Sequence, residues 1–335
     1  ALANGSNALA LTDHGHMNGL PYQVLHAKKM KANGENFKPI FGVEAYFNPS
    51  LEQWRQEYEK AKNEKKKVEN NISLSIEDEK ASKQKMTNIL RKRNHLILLA
   101  QNQTGLNNIF KLISESYKNE NFYRYPRVDY DLLSNHSSGV IAASACLGGV
   151  YAGDYWDHRD SGELAGDAVL EAMRETTRRM KAIFGDRWYG EIQWNNIPEQ
   201  HELNKYIIQV CREFDVKLIS TADSHYPSPD AWKDRELYKR IGWLGKGGLP
   251  EYMSSELPSG VEEIGYELYP KNGDQMWESY LKYSEQLKVN YDDDLVKDSI
   301  ARTEYIAQDL IEDFMPDNEV RLPKFVVPRG KTDIQ

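Results

Sequence analysis

The run ALALTDHG, residues 8–15, sets Asp13 and His14 directly behind a short apolar segment. A strand terminus is a fixed place in a fold, so what stands there matters. Asp13 and His14 admit two readings. Asp13 caps the following helix and His14 is a half-buried surface residue, because aspartate is a common helix N-cap. Alternatively His14 binds a metal ion and Asp13 orients its imidazole. The dipeptide does not decide between them, and the rest of the chain has to.

Similar apolar runs recur along the chain. The expected strands are 8–12, 39–47 (PIFGVEAYF), 95–100 (HLILLA), 139–145 (GVIAASA), 187–193 (RWYGEIQ) and 217–222 (KLISTA). Helical periodicity fills the intervals. Leu203, Tyr206, Ile207, Val210 and Phe214 recur at steps of three and four, as do Leu106, Ile109, Ile113 and Tyr117. A further helix, about 161–184, should stop at Gly185. Strand and helix in alternation predict parallel strands joined by right-handed crossovers. Six such strands predict a closed or nearly closed α/β barrel. The chain opens on Ala1 with a strand by residue 8, and so reads as a piece beginning inside a domain.

Two segments interrupt the alternation. Residues 50–93 contain neither glycine nor proline, and over 52–93 carry 12 Lys or Arg against 8 Asp or Glu, which reads as a solvated helical hairpin inserted between strands. Beyond about residue 245 a Gly- and Pro-containing stretch gives way to a helical pattern over 295–314, then to a proline-punctuated linker ending at Gln335. The expected organisation is therefore a barrel over 1–245 with the insertion, then a helical segment and linker over 246–335. Asp292, Asp293 and Asp294 are best explained as helix-capping acids, and the Asp-x-Asp at 129–131 as a turn.

Bulk composition narrows the class. In 335 residues the hydrophobic fraction is 40% and the charged fraction 28%, as in ordinary globular proteins, and no apolar run approaches a membrane span. Two cysteines build no disulfide framework, which points to a reducing cytoplasm. A formal net charge of −8 argues against a general nucleic-acid coat but leaves room for a local basic groove.

Metal-capable side chains mark the ends of the expected strands. His14 follows the first, Glu44 lies near the end of the second, Cys146 follows the fourth, and Asp223 and His225 follow the sixth. In a parallel barrel all these ends open on one face, where functional residues collect. Imidazole, carboxylate and thiolate together suit zinc, iron or manganese. His95 fits less well, since it opens its strand. His26, His136, His158 and His201 are read as structural or surface residues, His16 stays a candidate by proximity, and Cys211 is a packed thiol.

The motifs ALALTDHGHMNG, KPIFGVEAYF, HLILLAQNQTGLNNIFKLIS, GVIAASACLGG and KLISTADSHY, in this order, resemble the PHP (polymerase and histidinol phosphatase) domain family. The form that begins the alpha subunit of bacterial DNA polymerase III is the most similar, through WYGEIQWNNIPEQHELNKYII and the terminal LPKFVVPRGKTD. The resemblance implies a distorted (β/α)7 TIM-like barrel holding up to three divalent transition metal ions, zinc, manganese or iron. Its implied ligands are His14, Glu44, His95, Cys146, Asp223 and His225, with Asp13 orienting the imidazole. Glu44, Asp223 and His225 are expected at the reacting phosphate. The implied activity is metal-assisted phosphoester hydrolysis at a DNA 3′ end, a 3′→5′ exonuclease proofreading within a DNA-directed DNA polymerase. Implied partners are DNA, a proofreading subunit and a sliding clamp. A non-catalytic scaffold that docks a separate proofreading subunit, and a free phosphoesterase, are the competing readings. The family's first His-x-His motif and the polymerase palm are absent, and are expected before Ala1 and after Gln335.

Overall fold

The computed structural model describes residues 1–69, 76–249, 256–317 and 319. Strand β1 (Ala8–Leu11) leads into helix α1 (Leu20–Ala32), then β2 (Lys38–Phe47). The charged insertion forms α2 (Leu51–Glu69) and α3 (Ile76–Arg91), followed by β3 (Asn94–Ala100) and α4 (Gln103–Ser116). A short hairpin, β4 (Phe122–Tyr123) and β5 (Tyr125–Val128), precedes α5 (Tyr130–Asn135) and β6 (Val140–Ala143). Helices α6 (Val150–His158) and α7 (Ala165–Phe184) connect to β7 (Trp188–Gln193), and α8 (Pro198–Glu213) to β8 (Lys217–Thr221). The chain continues as α9 (Trp232–Leu244), α10 (Val261–Ile264), α11 (Gly273–Leu287) and α12 (Asp293–Tyr305). The expected linker, 322–333, lies outside the described residues.

The strands form one curled sheet in the order β4-β5-β2-β3-β6-β7-β8, with β1 also on β2. All six expected strands form, and β4–β5 is an addition that a two-residue and a four-residue strand left without readable periodicity. One expectation is corrected. The strands are not all parallel: β3 runs antiparallel to both β2 and β6. The insertion explains it. A single crossover helix delivers the chain to the opposite end of the sheet, whereas the α2–α3 pair goes out and comes back, so β3 starts where β2 stopped. The register pairs Tyr46 with His95 and Glu44 with Ile97.

Alternation along each strand sorts the side chains. Phe41, Val43, Ala45, Phe47, Leu96, Leu98 and Ala100 face outward and pack beneath helices, among them Leu106, Ile109 and Leu112 of α4. Ile40, Leu99, Ile141, Tyr189 and Ile219 face inward and meet in a second cluster that also takes in Ala8 and Ala10 of β1. Strands from both ends of the sheet reach this cluster, which requires the sheet to curl into a half-barrel. Above it the same inward alternation continues as His95, Glu44, Glu191, Gln193, Thr221 and Asp223. The barrel is apolar at its floor and polar at its mouth.

The C-terminal helices belong to this body. Met276, Tyr280, Tyr283 and Val296 lie in the main core. Ser299 of α12 meets Ser220 of β8 at 2.7 Å, oxygen to oxygen, and Trp194 Nε1 donates to the Ser220 hydroxyl at 3.1 Å. Past Tyr305 the helix widens to a π-helical turn, Ile306–Leu310, which carries Ile306, Ala307 and Ile311 into the barrel floor. Lys38 donates to the Ile311 carbonyl and Glu312 N–H to that of Gln101 at 2.8 Å, fixing the segment across that end. Asp292 caps α12, accepting from the Asp294 and Leu295 N–H groups, so the capping reading of that acidic run holds. Asp129 likewise caps α5 through Leu132 N–H, and takes Leu51 N–H of α2 on its other oxygen.

Candidate metal centre

The reversal of β3 is what brings His95 to the mouth. Its first residues lie beside the last residues of β2, so a histidine that opens a strand reaches the same rim as those that end one. His95 Nδ1 stands 2.5 Å from Glu44 Oε1, and His14 Nδ1 stands 3.6 Å from the same oxygen. Glu44 is buried at 4% exposure. His14 is placed by continuation of the β1–β2 pairing: Glu44 N–H donates to the Asp13 carbonyl and Gly15 N–H to that of Glu44. Gly15 has φ +70°, and a Cβ there would meet the Tyr46 ring at 2.8 Å, so this sharp turn accepts only glycine without rearrangement.

From the far side come Cys146, Asp223 and His225. Ala145, φ 63°, and Asp223, φ 49°, both occupy the left-handed region at strand ends, which costs a non-glycine residue about 1 kcal/mol or more. A polar layer beneath holds them. Glu191 accepts the Ala145 N–H at 2.8 Å and the Thr221 hydroxyl at 2.7 Å, and Gln193 donates to Thr221 at 3.1 Å. Cys146 Sγ lies 3.6 Å from His95 Nδ1 and accepts from Gly148 N–H. His225 Nδ1 is 2.7 Å from the Asp223 carbonyl oxygen; donating there, it leaves the Nε2 lone pair aimed into the mouth, 3.4 Å from His14 Nε2. The loop after β8 is anchored by His225 and Tyr226 N–H groups, which both donate to the Leu268 carbonyl.

Two triads of ligand atoms result, each within 4.8 Å: His14, Glu44 and His95, and Glu44, Cys146 and Asp223. They share Glu44. The buried His14 Nδ1 and Glu44 Oε1 have no hydrogen-bond partner of good geometry, and a cation between them would satisfy both. Electrostatics agree. Burial, ahead of the neighbouring Asp223 and Glu44 carboxylates, raises the Cys146 thiol well above its usual range, and burial also raises Asp223. Burial lowers His14, against the opposing pull of Glu44. Crowded acids, a thiol that needs a cation to ionise and imidazole nitrogens, with His14 held toward its neutral form, make a donor set fitted to a borderline transition metal.

The six expected ligands thus share one mouth. Asp13, expected to orient His14, has its Oδ2 on the Gly19 N–H at 2.7 Å at the start of α1 and facing His16 Nδ1 at 3.8 Å, since adjacent side chains at a strand end point to opposite faces. Glu191 went unread in the sequence. Burial pushes it up to about 7, and a carboxylate midway along an otherwise apolar strand was the available signal. His201 is buried between the Asn195 carbonyl and the Tyr291 hydroxyl, and Cys211 is packed, its thiol pushed up to about 12 by burial.

A curled, mostly parallel sheet with helices outside and a His, Cys and carboxylate mouth defines a class, and the PHP domain family model matches residues 1–195. The chain belongs to the PHP domain family. Its similar relatives are DNA polymerase III alpha subunits: that of Aquifex aeolicus is 36% identical over 68% of this chain and 16% of its own length. The Campylobacter jejuni subunit is 29% identical over 85% of this chain and 20% of its own length, and the Helicobacter pylori (strain 26695) subunit 30% over 70% and 16%. The chain spans about a fifth or less of these relatives. Among the described residues no helix is long and apolar enough to cross a membrane.

Proposed function

We propose that this domain is the phosphoester-hydrolysing part of a replicative DNA polymerase III alpha-type chain, removing nucleotides from DNA 3′ ends. The observation that carries it is the shared Glu44, a buried carboxylate with an orphaned oxygen between two triads of ligand atoms. Divalent metal bound there would supply a water ionised near neutral pH and Lewis acidity toward the phosphate. The protein's own part is positional. His14, His95, Cys146 and His225 favour zinc, iron or manganese over magnesium. Glu191, Thr221 and Gln193 fix the strand ends, and Glu44 and Asp223 carry the negative charge that the ions offset.

A second reading, a scaffold that docks a separate proofreading subunit or clamp, has its own support. Helix α9 buries Glu236 and Arg240 and exposes Leu237, Tyr238, Ile241 and Leu244, an inverted amphipathic face suited to a protein partner. The test is release of the 3′-terminal nucleotide from single-stranded and mispaired DNA with manganese or zinc, in the wild type and in Asp223→Asn, which suits the left-handed backbone better than alanine. Metal-dependent release lost in the variant supports the hydrolase. No release in either protein, with metal bound, supports the scaffold.

A further inference from the structure

Beside the metal ligands the rim holds a cation with no assigned task. Arg93, two residues before His95, lies with its guanidinium 3.7 Å from the centre of the Tyr125 ring and 5.1 Å from that of Tyr46. Tyr46 is itself stacked on His14, 7° from parallel with centres 6.1 Å apart, and 5.6 Å from the His95 ring. One aromatic ring therefore separates the guanidinium from both imidazoles. Among the described residues no carboxylate pairs with Arg93. Its Nε is buried without a partner, and Arg127, close enough for its charge to be felt, adds like charge behind it. Arg127 is spent on carbonyls, donating to those of Leu90, Lys92, Tyr123 and Tyr125. Arg93 donates to one, that of Arg91 at 3.1 Å, and also hydrogen-bonds the Tyr46 side chain.

Stacking on two tyrosines accounts for the flat guanidinium, and N–H groups at its edge beyond the Arg91 carbonyl and Tyr46 contacts are left for an acceptor. A flat, stacked guanidinium with terminal N–H groups to spare is preorganised for a phosphate. The geometry points to Arg93, backed by Tyr46 and Tyr125, as the site for a second phosphate of the substrate strand. The domain would then select polynucleotide ends over phosphate monoesters. This deepens the phosphoester reading: the first phosphate rests on that reading, the second on Arg93 alone.

The test separates the two. Binding of a 5′-fluorescein-labelled five-nucleotide oligothymidylate is followed by anisotropy with the 335-residue chain in EDTA, between 50 and 200 mM salt. Arg93→Gln should weaken binding about 5- to 10-fold and flatten the log–log salt dependence by about 0.7, one phosphate contact on a single strand. Arg93→Lys keeps the charge and should restore most of the slope. Thermal melts accompany each variant. A slope unchanged in Arg93→Gln, or affinity lost equally in both variants together with the melt, would overturn the assignment, as would a wild type that does not bind. Hydrolysis is then scored with manganese. Arg93-dependent binding without hydrolysis rejects the phosphoesterase reading and leaves the subsite standing, while hydrolysis with Arg93-independent binding does the reverse.

Discussion

Asp154→Asn should stabilise this protein by an amount that grows with pH. Asp154 lies on α6, the helix that follows the Cys146 turn; next to it, Gly153 sits so close to Asn94 that a Cβ would approach the amide at 2.0 Å. Its Oδ2 is buried without a partner, and burial, offset only partly by a Thr176 hydroxyl, pushes it up from 3.8 to about 7. The folded state therefore holds a proton that the unfolded chain gives up, and stability falls as pH rises from about 4 to about 7. Over that interval of about three pH units the linkage reaches about 4 kcal/mol, and relaxation or water entry brings it to roughly 2–4. Asparagine keeps the shape and cannot ionise. Urea unfolding in EDTA should show a gain of about 1 kcal/mol or less for the variant at pH 4.5, and of roughly 2–4 kcal/mol at pH 8. A difference that is the same at both pH values would refute a buried carboxyl forced to ionise.

Three further outcomes are expected. Glu44→Gln should abolish binding at both triads, whereas Cys146→Ser should weaken one and spare the other. Elemental analysis after dialysis, beside a melt to show folding, reads the difference, and equal losses in the two variants would contradict a shared carboxylate. Arg127→Leu leaves four backbone carbonyls without their donor in the interior and should cost about 3–5 kcal/mol by urea unfolding; a loss under about 1 would mean water replaces the guanidinium. Ala145→Gly should relieve left-handed strain at the cost of a small buried methyl, leaving stability equal or higher by up to about 1 kcal/mol; a marked drop would show that the methyl matters more than the backbone.

Much of this molecule was legible because burial writes itself into strands. The six apolar runs were found where the backbone pairs, and the residues ending them converge because a barrel gathers strand ends. Direction was less legible. A strand's apolar pattern reads the same in either direction, so the reversal of β3 resided in the parity of the α2–α3 insertion, and His95 looked misplaced for that reason alone. The β4–β5 hairpin is too short to carry a period. Where the Asp13 carboxylate goes was less legible, because neighbouring residues at a strand end alternate in face, and it takes the Gly19 N–H. Arg93 escaped notice inside a run of like charges, where only its two tyrosine neighbours distinguish it from a solvated lysine.

The floor of the barrel has a consequence in time. β8 is complete at Thr221, yet Ile306, Ala307 and Ile311, which fill the interior beneath the ligands, are about 85 residues further on. At ribosomal speeds of ~5–20 residues per second, that is roughly 4 to 17 seconds of synthesis. During that interval the inward faces of Ile40, Ile141 and Ile219 lack their cover, leaving apolar surface exposed on the nascent half-barrel. The strands that carry the candidate ligands are made long before the segment that closes them from below, so the order of synthesis would put any stabilisation from a metal bound at the mouth within reach before the fold's own is complete.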